Sequence, residues 1–107
     1  MDKVAAWDCS GFSNGAAIAH CAEMLLEKGG RPSFALLSPQ VFLEILNEEG
    51  RLRLKPAWPG TGLFVHTTAG WLLAVSDPRI ERHGRVVDGV TGAFVEMLNM
   101  CGNGGPI

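Results

Sequence analysis

The tetrapeptide Gly29-Gly30-Arg31-Pro32 constrains this chain more than any other feature, because no helix runs through it. Glycine accepts the left-handed conformation that ends a helix, and proline forces the residue before it into an extended backbone. A helix upstream must stop there, and the residues downstream must begin as strand. Upstream, Ile18, Cys21, Ala22, Leu25 and Leu26 recur at helical spacing, which predicts a helix over about Asn14–Lys28. Ser13 or Asn14 caps it, and Glu23, Glu27 and Lys28 are expected in water. Downstream, Ser33–Leu37 (SFALL) reads as a short buried strand.

Similar punctuation recurs along the chain. Ser38-Pro39 starts a second helix, because serine caps and proline is preset for the first helical position. It is expected to run to about Glu48, to bury Val41, Phe42, Ile45 and Leu46, and to stop at Gly50. Arg51–Lys55 (RLRLK) alternates basic with apolar residues, as an edge strand with one solvated face does. Residues 56–60 (PAWPG) form a turn. Leu63–Thr67 and Trp71–Ser76 are strands of a hairpin turning at Ala69-Gly70, and Asp77-Pro78 ends the second. Residues 79–85 (RIERHGR) read as a polar loop. A last helix is expected near Thr91–Cys101, with Phe94, Val95, Leu98 and Cys101 on one face and Gly102 past its end. The expected order is α-β-α-β-β-β-α: a single α+β domain over 1–107, with a mixed sheet of about four strands and three helices packed on it. Residues 1–12 are expected as an N-terminal segment and 102–107 as a flexible tail.

Composition bounds the function. At 107 residues there is room for one core, and a hydrophobic content of 47% is enough to fill it while leaving apolar surface for a partner. Nine basic and eleven acidic residues leave a net charge of −2, so a generally cationic nucleic-acid binder is not expected. Cys9, Cys21 and Cys101 are odd in number, which predicts reduced thiols and a cytoplasmic setting. No cysteine pair has a two-residue spacing and His20, His66 and His83 complete no ligand set, so neither a metal nor a cofactor is expected. No leader and no membrane span are expected either: the longest apolar run, around Trp71–Val75, is far too short to cross.

The sharpest local motif is Asp8-Cys9-Ser10-Gly11-Phe12 leading into the first helix. A thiol just before a helix feels the unpaired amides and the positive end of the dipole, which activates it. DCSGF resembles the nucleophile signature of bacterial cell-wall cysteine peptidases of the papain-like class. That resemblance implies Cys9 as nucleophile and His66, on a strand downstream, as its base, with Asp77 or Ser76 orienting the ring.

A longer stretch, EMLLEKGGRPSFALLSPQVFLEIL with GTGLFVHTTAGWLLAVSDPRI after it, resembles the axial domain of tailed-phage major capsid proteins over roughly residues 14–80. In that family a spine helix leads into a Pro-initiated strand and a Pro-started helix. The resemblance implies an isolated domain, a virion accessory protein or an assembly interferer. Arg51, Arg53 and Lys55 share one strand face, Arg79, Arg82 and Arg85 share one loop, Trp58 lies between two prolines and Trp71 follows a turn. These are the candidate partner-binding residues. The reading favoured by these features is a small non-enzymatic assembly or protein-interaction protein, phage-type and resembling a capsid domain, which binds a protein partner or itself. The alternatives are a small cysteine hydrolase of peptide bonds and a small inhibitor or regulator of a host protein.

Overall fold

The strand begun by Pro32 lies at the centre of the molecule. The computed structural model describes residues 2–47, 54–56, 62–80 and 83–99. In chain order the elements are β1 (Lys3–Asp8), α1 (Asn14–Glu27), β2 (Pro32–Leu37), α2 (Pro39–Asn47), β3 (Leu54–Pro56), β4 (Gly62–Thr67), β5 (Gly70–Ser76), β6 (Gly84–Asp88) and β7 (Phe94–Leu98). All strands join one sheet in the order β1-β7-β6-β2-β5-β4-β3, so β2 has three strands on either side.

The sheet is mixed. β1 pairs parallel with β7 and β2 parallel with β5, while the other neighbours are antiparallel. The hairpin β6–β7 slots between β1 and β2, and the hairpin β4–β5 lies on the other side of β2. Both helices pack on one face of this sheet. α1 crosses β7 and β6 and reaches β1, β2 and β4; α2 lies over β2 and β5 and touches α1. Between the layers a core closes from Ile18, Cys21, Ala22 and Leu25 of α1, Val41 and Ile45 of α2, and Ala35, Leu37, Val65, Leu72, Ala74, Val86, Val95 and Met97 of the strands.

The local signals act as their chemistry requires. The Ser13 hydroxyl accepts from the Ala16 amide at 3.2 Å and caps α1. Gly29, at φ +89°, takes the left-handed position past the helix end. The Ser38 hydroxyl accepts from the Val41 amide at 3.3 Å, starting α2 where Pro39 allows. Gly70, at φ +104°, closes the β4–β5 turn. β3, three residues long, is the outer strand beside β4.

Three expectations are corrected. Residues 3–8 are not a plain N-terminal segment but the edge strand β1. No helix covers residues 91–99: Phe94–Leu98 is β7, held between β1 and β6. The loop expected over 79–85 gives way at Gly84 to β6. The described chain therefore has seven strands and two helices rather than about four and three. The cause is common to β6 and β7. Both are inner strands with apolar residues on both faces, so their sequences lack the alternation that marks a half-exposed strand. Phe94, Val95 and Leu98 then mimic a helical face. Residues 102–107, with the expected tail, lie outside the described residues.

Candidate protein-binding surface

One face of the sheet carries both helices; among the described residues the opposite face carries none, yet it is also apolar. Strand register shows how it is built. Across the sheet, Phe94 of β7 stands opposite Val87 of β6, Val87 opposite Phe34 of β2, Phe34 opposite Leu73 of β5, and Leu73 opposite Phe64 of β4. This is one row of five apolar side chains on five adjacent strands. The next row on the same face is Glu96, Arg85, Leu36 and Val75. Four strand spacings make the first row about 19 Å long. Trp71, opposite His66, extends the face along the β4–β5 hairpin; it is exposed and meets the imidazole edge-on at a centroid distance of 4.9 Å.

The face is not uniformly open. Val87 and Phe94 are buried, whereas Phe34, Leu36, Phe64, Leu73 and Val75 are half-buried. A hollow lined by Phe34, Leu36, Val75, Val87, Gly89 and Gly92 lies over the middle of the sheet. Gly89 must lack a side chain there: a Cβ would stand 2.8 Å from the Phe34 ring.

Arg85 brings a positive charge into this apolar field. Its guanidinium carbon stacks over the Phe94 ring, 4.6 Å from the centroid. Its Nε is buried and has no hydrogen-bond acceptor. The facing carboxylate, Glu96, is taken by Lys3 at 3.2 Å. Asp77, which lines a hollow with Arg85, binds Arg79 through both oxygens, to Nε at 3.0 Å and Nη2 at 2.9 Å, and accepts from the Arg79 amide as well. These contacts hold the Asp77 carboxyl below its ordinary range, the Arg79 hydrogen bonds being the main cause, with a smaller contribution from the Arg85 charge. Among the described residues Arg85 thus makes no ion pair, and a second hollow lined by Leu36, Asp77, Arg79, Ile80 and Arg85 opens beside it.

Of the partner-binding residues expected from sequence, Trp71, Arg79 and Arg85 fall on or beside this face. Lys55 pairs in register with Phe64. Arg51, Arg53, Trp58 and Arg82 lie outside the described residues. Sequence patterns do not reveal Phe34, Leu36, Leu73, Val75, Val87 and Phe94 as surface. Their only signal is apolar residues at both parities of a strand, which reads as ordinary core.

The residues of the hydrolase alternative are not brought together. Cys9 is fully buried, with its thiol toward the Trp7 carbonyl at 3.5 Å and against Cys21 in the core. Cys21 donates to Cys9, and this bond together with burial pushes the Cys21 thiol far up. α1 begins only at Asn14, five residues later, so Cys9 does not sit at the helix start. His66 is on β4, five strand spacings away (about 24 Å measured along the sheet) and on the helix-free face. Asp77 lies six residues beyond the strand partner of His66, about 20 Å along β5.

A polar cluster does form where β1 and β7 end. Asp8 accepts from the Ser10 amide at 2.9 Å and the Asn99 side chain at 3.2 Å, which lowers its pKa, the backbone bond first. His83 and Asn99 both have positive φ there. No protein-family model, curated protein or solved structure matches this chain, so only the fold and its surfaces bear on function.

Proposed function

We propose that this chain is a non-enzymatic protein-interaction domain that binds a partner protein through the helix-free face of its sheet. One observation carries the proposal: a row of five apolar side chains, from Phe94 to Phe64, runs across a sheet face on which no helix packs among the described residues. Sheets with both faces apolar normally have both faces covered. Phe34, Leu36, Leu73, Val75 and Phe64 of this face are half-buried neighbours, and a contiguous apolar patch that still meets solvent marks an interaction site more often than chance surface.

A phage-type assembly role is the narrower form of this reading. Its support is that the helix, the Pro32 strand, the Pro39 helix and the hairpin that carry the likeness to capsid axial domains all occur in that order. The role requires no catalytic group.

The test is site-specific photocrosslinking in the cells that make the protein. A photoreactive residue replaces Val75 on the helix-free face or, as control, Glu27 on the outside of α1. The expected result is a small set of discrete higher-mass adducts from position 75 and none from position 27. Equal labelling at both positions, or none at 75 with the fold intact by circular dichroism, overturns the proposal.

A further inference from the structure

We infer that the partner presented to this face is an amphipathic helix whose apolar stripe carries one carboxylate, and that Arg85 is its anchor. The inference rests on the protein-binding reading above and names the chemistry of the partner.

Shape selects the helix. The apolar row is about 19 Å long across the strands, and its two rows of side chains span roughly 10 Å along them. A helix is about 10–12 Å across and rises about 1.5 Å per residue, so about twelve or thirteen residues cover the row. An extended peptide binds instead by adding a strand at a sheet edge. The row lies on β7, β6, β2, β5 and β4, none of which is an edge strand.

Charge selects the carboxylate. Arg85 stands within the patch with a buried Nε that lacks an acceptor among the described residues, while the two described carboxylates near it, Glu96 and Asp77, are already held by Lys3 and Arg79. A guanidinium takes a carboxylate through two parallel hydrogen bonds, and desolvation under a docked helix strengthens such a pair. The Phe94 ring under the guanidinium fixes its plane before binding, so little side-chain freedom is left to lose. A second copy of this chain is the poorer occupant. The same face on a second copy offers Arg85 no free carboxylate, because the described acids near it are already engaged.

The probe is a displayed library of 18-residue helical peptides with five positions varied along one face. It is selected against the wild-type chain and, separately, against Arg85→Glu. The wild type is expected to enrich leucine, isoleucine, phenylalanine or methionine at four positions and aspartate or glutamate at one. Arg85→Glu is expected to enrich lysine or arginine at that same position. Replacing the selected glutamate by glutamine in the best peptide should weaken binding to the unaltered protein at least about tenfold. That comparison needs no variant of the protein, so it stands even if Arg85→Glu fails to fold.

The inference is overturned if no helical peptide is enriched, if enriched peptides show no acidic preference, or if their binding survives Val75→Lys. It is also overturned if light scattering shows a concentration-dependent dimer that Val75→Lys abolishes, since the face then belongs to a second copy. Adducts at position 75 without acidic preference defeat this inference alone; absence of adducts defeats the protein-binding reading itself.

Discussion

At the scale of single residues, Asp88 joins two separate parts of the fold. Its Oδ2 accepts from the Arg31 amide at 2.9 Å, and its Oδ1 from the amides of Val90 and Thr91 at 2.7 and 3.1 Å. One buried carboxylate thereby ties the joint between α1 and β2 to the turn between β6 and β7. Three amides donating to the ionised form, the Arg31 bond first, bring its pKa from 3.8 to about 2. A carboxylate depressed in this way stabilises the folded state fully above its unfolded pKa and loses that contribution as pH falls through the folded one. The wild type should therefore lose thermal stability from about pH 4 down toward about pH 2, with the lowered Asp8 and Asp77 acting in the same direction. Asp88→Ala should melt lower near neutral pH and lose less across that acid window, whereas Asp88→Asn, which keeps one acceptor, should fall between them. Melting curves by circular dichroism at a series of pH values check this. An Asp88→Ala variant with the same acid slope as the wild type would show that the carboxylate is not coupled to folding.

At the scale of elements, legibility in the sequence tracks burial on two faces. α1, α2 and the β4–β5 hairpin are readable because each has a half-exposed pattern and clear punctuation: Ser13 and Gly29, Ser38-Pro39, Ala69-Gly70. β1 is hidden by its alanines, which have little strand preference, although Ala5 and Trp7 do alternate inward. β6 and β7 are hidden because their second face is apolar as well. That face is the candidate binding surface, so the helical disguise of β7 and the concealment of the site have one origin. Arg85 is legible as a basic residue; what it faces depends on β6 pairing with both β2 and β7, which no local pattern states. The β2–β6 pairing also fixes a test of the architecture. A Cβ at Gly84 would stand 2.6 Å from the Leu36 carbonyl oxygen and 2.8 Å from Leu37 Cδ2. The oxygen belongs to the neighbouring strand's backbone and cannot swing aside. Gly84→Ala should cost about 1–3 kcal/mol in urea denaturation, in the range of overpacked cores. A neutral result would mean that residue 84 does not pair against Leu37.

At the scale of the whole molecule, the two faces of the sheet do different work, and two adjacent leucines separate them. Leu37 is fully buried beneath the helices, in the core with Leu25, Val41 and Leu72. Leu36 points the other way, half-buried, between Arg85 of β6 and Val75 of β5. Residue type, strand and backbone environment are held nearly constant between them, so a difference in their truncation costs reports the layers alone. Leu37→Ala removes side-chain atoms from a closed core and leaves a cavity, for which about 2–5 kcal/mol is the usual cost. Leu36→Ala removes atoms that still meet solvent on one side, so both its transfer and cavity contributions are smaller, about 1 kcal/mol. Urea titrations at unchanged slope measure both. The contrast turns into a functional readout once a partner is added. A ligand that binds only the folded chain stabilises it in proportion to the logarithm of its concentration over its dissociation constant. A partner seated on the helix-free face makes contacts that Leu36→Ala weakens and Leu37→Ala leaves in place. With saturating partner, the gap between wild type and Leu36→Ala should therefore widen while that for Leu37→Ala holds. If neither gap widens, the partner seats elsewhere, and the bare sheet face is not where this protein binds.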